Sequence, residues 1–180
     1  VRIEVVDPGN QQIYLPAFPH STTVVNLNLT NFPGRPGGSE IQGENTLDMC
    51  LYDGKNSTST RTYLRFEDDG LPSMDRAEEA FSIRRRGGSQ TDARDRLDYQ
   101  VFVTNPVTGA TETVANGKTL VWQGTNDPQH LRQVVLPGGR ESVLCVPAPI
   151  VLKTPAFAAS SKNAGDYTGT LRIIYTPSTL

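Results

Sequence analysis

Only two cysteines occur in this chain, Cys50 and Cys145, and each lies inside a short apolar run: Leu47-Asp-Met-Cys-Leu-Tyr-Asp-Gly54 and Ser142-Val-Leu-Cys-Val-Pro147. A pair so placed is either two buried free thiols or one disulfide. A bridge would tie together two strands about 95 residues apart, and the chain-entropy model gives such a loop roughly 4–5 kcal/mol of stabilisation. A zinc site would need further Cys or His ligands in a second spaced pair, which the sequence lacks. The disulfide is the preferred reading, and it implies an oxidising compartment.

The stretches between the cysteines decide the fold class. Sixteen glycines and 13 prolines are spread along the 180 residues, which interrupts the chain too often for long helices. The runs they leave are short and alternate between apolar and polar residues. Val1–Val6 is one such run, closed by the turn Asp7-Pro8-Gly9-Asn10. Residues 12–15 follow, with Ile13 and Leu15 apolar. In residues 22–29, Val25, Leu27 and Leu29 point one way and Asn26 and Asn28 the other, the pattern of a strand with one buried face. Pro33-Gly34-Arg35-Pro36-Gly37-Gly38 reads as a loop, and Asp53-Gly54 as a turn.

Further strands are expected at residues 46–52, 62–67, 80–85, 99–104, 120–122, 133–136, 143–146 and 150–154. The one place suited to a helix is residues 72–81, where Asp75 followed three residues later by Glu78 resembles a capping box. The longest strand signal is residues 167–176, with Tyr167, Leu171, Ile173 and Tyr175 on one face and Gly169 in the same row. About ten short strands at turn-bounded intervals imply an all-β sandwich of immunoglobulin-like type.

Few functional classes find support. Seventeen basic and 19 acidic residues leave a net charge of −2, so no global field favours nucleic acid or anionic membrane. No apolar run approaches the roughly 20 residues that span a bilayer. Gly117-Lys118-Thr119 resembles the end of a phosphate-binding loop, but Glu112 stands where the motif requires glycine. His20 and His130 sit in loops without a neighbouring nucleophile motif, and are read as surface residues. The adjacent acids Asp68-Asp69 and Glu78-Glu79 are read as solvated, since neighbours on a strand face opposite ways. Arg84-Arg85-Arg86, with Arg94 and Arg96, is balanced by Asp92, Asp95 and Asp98 and is read as a solvated loop. Trp122 lies in an apolar run and is assigned to the core. Asn28-Leu-Thr30 and Asn56-Ser-Thr58 fit a glycosylation pattern that arises often by chance. No constellation suggests an enzyme, a metal or a cofactor.

Several segments, in their order, carry a resemblance. They are Gln12-Ile-Tyr-Leu-Pro16, Val25-Asn-Leu-Asn-Leu29, Thr46-Leu-Asp-Met-Cys-Leu-Tyr-Asp-Gly54 and Leu64-Arg-Phe-Glu-Asp-Asp69, then Val143-Leu-Cys-Val-Pro147 and Ala164-Gly-Asp-Tyr-Thr-Gly-Thr-Leu-Arg-Ile-Ile-Tyr-Thr-Pro-Ser178. Together they resemble the C-terminal pilin domain of CfaE/CblD-like tip subunits of class 5 fimbriae, the pilus-biogenesis initiators of the alternate chaperone–usher pathway. The Asp-Met-Cys-x-Tyr-Asp-Gly block is the most specific piece, and residues 71–130 match poorly. The resemblance implies a pilin domain over residues 11–180, preceded in residues 1–10 by the tail of a receptor-binding adhesin domain. The absence of an initiator Met or signal peptide is read in the same sense, as a processed or excised piece. The resemblance also matches Cys50 and Cys145 to a pilin-domain disulfide formed in the periplasm.

Domains of that family resemble an immunoglobulin sandwich lacking its final strand. The implied mechanism is donor-strand complementation: a periplasmic chaperone, then the N-terminal extension of the major pilin, adds a strand to the open edge, with an outer-membrane usher as the assembly platform. The candidate groove is lined by Ile13, Leu15, Val25 and Leu27 and by Leu171, Ile173 and Tyr175 of the last strand. Four buried anchors there would contribute about 6–12 kcal/mol before ordering costs. Val1, Ile3 and Val5 alternate as a donor strand does, so residues 1–6 are expected to pair with this groove or a neighbour's. The location implied is the fimbrium tip of a Gram-negative bacterium. The competing reading is a free-standing immunoglobulin-like recognition module that binds a host glycan or protein through its loops.

Overall fold

The computed structural model describes residues 1–6, 11–18, 22–35, 38–55, 58–73 and 75–179. The strands in chain order are β1 (Arg2–Val6), β2 (Gln12–Tyr14), β3 (Thr22–Val24), β4 (Thr30–Arg35), β5 (Gly38–Leu47), β6 (Cys50–Tyr52), β7 (Arg61–Asp68) and β8 (Phe81–Arg85). They continue with β9 (Arg96–Thr104), β10 (Thr111–Val114), β11 (Thr119–Gln123), β12 (Arg132–Val135), β13 (Ser142–Pro147), β14 (Ile150–Ala158), β15 (Tyr167–Thr168) and β16 (Thr170–Ser178). Three single 3-10 turns complete the regular structure, and no α-helix occurs among the described residues. The architecture is an all-β, immunoglobulin-like sandwich with one disulfide.

One sheet has the order β11-β7-β16-β1-β3, and the facing one the order β15-β8-β9-β14-β5-β4, with β10 added to β9. A smaller sheet, β12-β13-β6-β2, carries the disulfide. Period-two alternation builds the interior. On β7 the buried residues are Thr62, Leu64 and Phe66, and on β16 they are Leu171, Ile173 and Tyr175. These two strands pair antiparallel, Phe66 opposite Ile173 and Leu64 opposite Tyr175. From the facing sheet come Phe81, Tyr99, Val101, Val103, Ile150 and Leu152, all fully buried. The Phe81 and Tyr99 rings lie 5.7 Å apart, within the range at which aromatic pairs attract.

Cys50 and Cys145 are bridged, with Cα atoms 5.6 Å apart and neither residue exposed. The bridge joins β6 and β13, which also pair directly, Cys50 opposite Pro147. The Asp53-Gly54 turn after β6 forms as expected. Gly54 takes φ 78°, and the Asp53 carboxylate accepts from the N–H groups of Lys55 (2.9 Å) and Ser59 (3.0 Å). Trp122 is core, as expected, and its indole N–H donates to Glu112 at 3.0 Å.

Five expectations are corrected. The helix at residues 72–81 does not form, because its would-be cap is used elsewhere. Asp75 accepts from Arg96 at 2.9 Å and from the Ser73 hydroxyl, while Arg76 reaches away to Asp68 at 2.9 Å. Residues 33–35 and 38, expected in a loop, lie instead in β4 and β5, which pair antiparallel from Thr30↔Gln42 to Arg35↔Gly38. The strand at residues 22–29 ends at Val24. Val25 and Leu27 are still buried, but Asn28 adopts φ 51° and turns the chain, leaving Leu29 43% exposed. The strand at residues 167–176 is broken at Gly169, so Tyr167 pairs with Arg85 in the opposite sheet and leaves the Leu171 row. A Cβ at Gly169 would stand 2.9 Å from Ile83 Cγ2, which explains why the crossover needs glycine.

The fifth correction concerns charge. Asp68, Asp95 and Arg96 are buried rather than solvated. Asp95 accepts from Arg85 Nε (2.5 Å), Asn163 (2.8 Å) and the Ser89 N–H (2.7 Å). Arg96 bridges Asp98 and Asp75. Arg85, Asp95 and Arg96 thus brace residues 73–98 internally, and Asp95 ties them to Asn163, while Asp92 and Arg94 are exposed as expected. His20, the turn at 7–10 and the acceptor at Asn56 lie outside the described residues.

Candidate functional site

The seven groove candidates are all buried, between 0% and 8% exposed, and belong to one apolar cluster. Leu171, Ile173 and Tyr175 present one face of β16, and burial pushes the Tyr175 phenol well above its ordinary value. Val25 and Leu27 lie beyond the end of β3. Ile13 is placed differently: its strand β2 pairs with β6, Ile13 opposite Leu51, in the smaller sheet. Leu15 forms an isolated bridge with Phe18. The candidates therefore share a core without forming two walls of a single strand pair.

What lies against β16 is the first strand of the chain. β1 runs parallel to it, from Arg2↔Thr170 to Val6↔Ile174, while β7 covers its other edge antiparallel. On its far side β1 pairs with β3 among the described residues from Arg2↔Val24 to Glu4↔Thr22. Val1 and Ile3 turn inward, 9% and 0% exposed, and Val5 packs partly against the same cluster. Three backbone bonds anchor the start. Val1 and Val25 exchange N–H···O bonds of 2.7 Å each, and the Arg2 N–H donates to Gly169 at 2.7 Å. Of the two pairings expected for residues 1–6, the structure shows one within the chain, with β16.

Clefts lie beside Val1. A cleft of about 390 Å³ is lined by Val1, Val25, Leu27, Leu29, Ile83 and Tyr167, among others. Leu29 and Tyr167 also line a second cleft of about 330 Å³, with Ile41, Leu97 and Phe157. Sequence reasoning missed these clefts. Ile41 lies on a strand too polar to be noticed, and Leu29 and Tyr167 were expected to face the core.

The family model for the second domain of CfaE, from the CFA/I fimbria, matches residues 11–179. This chain belongs to that family. CfaE of Escherichia coli, itself a component of CFA/I fimbriae, is 30% identical over 182 aligned positions, which take in 99% of this chain and 45% of that protein. The chain thus spans under half the length of that relative. A chain in a solved complex described as chaperone–tip adhesin, from work on CFA/I fimbriae biogenesis, is 29% identical with a TM-score of 0.63. The likeness covers 95% of this chain and 43% of that one. The crystal structure of CfaE, the adhesive subunit of CFA/I fimbria of enterotoxigenic Escherichia coli, superposes with a TM-score of 0.66 at 24% identity, over 97% of this chain and 50% of that one, and supports the fold alone. The family is one of fimbrial subunits, which are structural proteins and not enzymes. The family model's match begins at residue 11, after β1, whereas the alignment to CfaE takes in 99% of the chain.

Proposed function

We propose that residues 11–180 are the pilin domain of a fimbrial tip subunit, and that residues 1–10 are the end of a preceding receptor-binding domain. In this reading the domain joins the receptor-binding part to the pilus shaft and starts assembly by accepting a donor strand. The donor comes first from a periplasmic chaperone and then from the N-terminal extension of the major pilin, at the outer-membrane usher. The finished subunit sits at the fimbrium tip, outside the cell.

One observation carries the reading: the edge of β16 is covered by a strand from the far end of the chain, inserted between β3 and β16 and outside the matched family domain. An apolar edge left bare would be an association hazard, so some strand must lie there. Membership of the family and likeness to a chain of a chaperone–tip adhesin complex supply partners of the right kind. The groove candidates Leu171, Ile173 and Tyr175 would supply the side-chain pockets that give such an interaction its specificity.

The experiment is a thermal-shift titration with a synthetic major-pilin N-terminal peptide, set beside a panel of free glycans. The proposal expects a large rise in melting temperature with the peptide and none with the sugars. A second reading, the free-standing recognition module, draws on the same strand: β1 already closes the sheet, so a self-sufficient domain is consistent with it. A positive glycan array for this chain, together with no response to the peptide, would establish that reading instead.

A further inference from the structure

The turn between β10 and β11 carries chemistry that strand acceptance does not use. Of the asparagines in the chain only Asn116 is followed by glycine, so its side-chain amide meets the least hindered of backbone nitrogens. The turn is tight: the Lys118 N–H donates to the Ala115 carbonyl at 3.1 Å, and Gly117 takes φ 74°, which favours glycine there. Asn116 is half-buried, and both ends of its amide are engaged. Its Oδ1 accepts from the Asp68 N–H at 3.4 Å, at the end of β7, and its Nδ2 donates to the Ala80 carbonyl at 3.3 Å, just before β8. One partner can only donate and the other only accept, which fixes the way the amide points. A single side chain thus ties the two facing sheets. Beside it, the Gly117 N–H donates to the Phe66 carbonyl at 2.7 Å.

We infer that Asn116 is a site of irreversible self-modification, deamidation by its own backbone, which the fold holds shut and a local opening of this turn exposes. It does not depend on strand acceptance. In the reaction the Gly117 nitrogen gives its proton to solvent base and attacks Asn116 Cγ. A C–N bond forms, the Cγ–Nδ2 bond breaks, and ammonia leaves with a proton taken from water. Water then opens the resulting cyclic imide at either carbonyl, giving aspartate or isoaspartate. No reactant but water is needed. The folded chain blocks the first step twice over. The nitrogen that must attack is donating to Phe66, and the amide it must reach is held by Asp68 and Ala80. Opening breaks those three bonds, which slows the reaction between about tenfold and a thousandfold relative to the unfolded chain. The product cuts the tie between the sheets. An ionised aspartate has no N–H for the Ala80 carbonyl and sets a negative oxygen against it. Isoaspartate also lengthens the backbone by a methylene inside the turn.

Peptide mapping by mass spectrometry tests this on the full chain, aged at mildly alkaline pH in buffer and, in parallel, in enough urea to unfold it. We expect deamidation at Asn116 to be at least about tenfold slower in the folded chain, by the same factor as hydrogen exchange protects the Gly117 amide. Asn116→Asp, which carries the product on a normal backbone, should melt about 3–8 °C lower and exchange faster at the amides of residues 68 and 117. If that variant does not fold, wild type deamidated in urea and refolded with its disulfide intact supplies the same comparison within one sample. Equal deamidation rates in the folded and unfolded chain would show that the turn is no gate, and would overturn the inference. So would a deamidated chain whose melting and exchange are unchanged, because the tie would then hold nothing.

Discussion

Reduction of the disulfide gives the sharpest stability test. Cys50 and Cys145 are 95 residues apart and both fully buried, so the bridge closes more than half the chain into a loop in the unfolded state. The chain-entropy relation gives about 16 cal/mol/K for such a loop, hence about 4.7 kcal/mol at room temperature. Unfolding entropy for a chain of this length is about 380 cal/mol/K, so each kcal/mol moves the melting temperature by about 2.6 °C, and the whole term by about 12 °C. The assay is urea denaturation with and without a strong thiol reductant, followed by tryptophan fluorescence of the buried Trp122. We expect the midpoint to fall by the equivalent of about 4–5 kcal/mol. A loss under about 1 kcal/mol with unchanged slope would refute the reasoning, because the bridge would then add nothing beyond what strand pairing already supplies.

Other outcomes follow from single residues. Gly43→Ala should cost more than the usual surface change, since the added Cβ would stand 2.3 Å from the Leu27 carbonyl oxygen, a backbone atom. A loss of about 1–3 kcal/mol in urea melts is expected, and near-neutrality would show that residues 27–28 can move aside. The Arg85 guanidinium, then Asn163 and the Ser89 N–H, hold the Asp95 carboxyl well below the usual carboxylate range. A depressed folded pKa means stability present above the unfolded value near 4 and lost as pH falls through it towards the lower folded value. Wild-type stability should therefore fall between about pH 5 and pH 2, and Asp95→Asn should flatten that fall. Leu64→Ala, on a central strand and fully buried, should cost about 2–5 kcal/mol. Ile3→Ala should cost less in global unfolding, while raising hydrogen exchange within β1.

The parts of this fold that were readable in the sequence are those governed by neighbours one or two residues away. Leu64 and Phe66 on β7, and Leu171, Ile173 and Tyr175 on β16, announce a buried face by alternation, and burial follows it. Residues 1–6 show the same alternation and take up the pairing it suggests. What escaped reading depends on partners far along the chain. β5 is exposed along much of its length and therefore polar, so its ten residues carried no apolar signal. Asp75 looks like a helix cap until Arg96, 21 residues away, claims its carboxylate. The aspartates among the arginines read as solvated balance, yet Asp95 is enclosed by Arg85 and by Asn163, 68 residues distant. The buried rows were legible, whereas the cleft beside Val1 was not. That cleft is assembled from Leu29, Ile83, Tyr167 and their neighbours, on segments that no local pattern brings together.

The direction in which β1 lies on β16 has a mechanical consequence. Because the two strands run parallel, tension applied between Val1 and the far end of β16 pulls them lengthwise past each other. Every backbone bond between them then carries load at once, instead of parting one after another as in a strand peeled from its end. A tether attached ahead of Val1 would therefore hold under traction, while the same strand lifted sideways by a competitor would come away bond by bond.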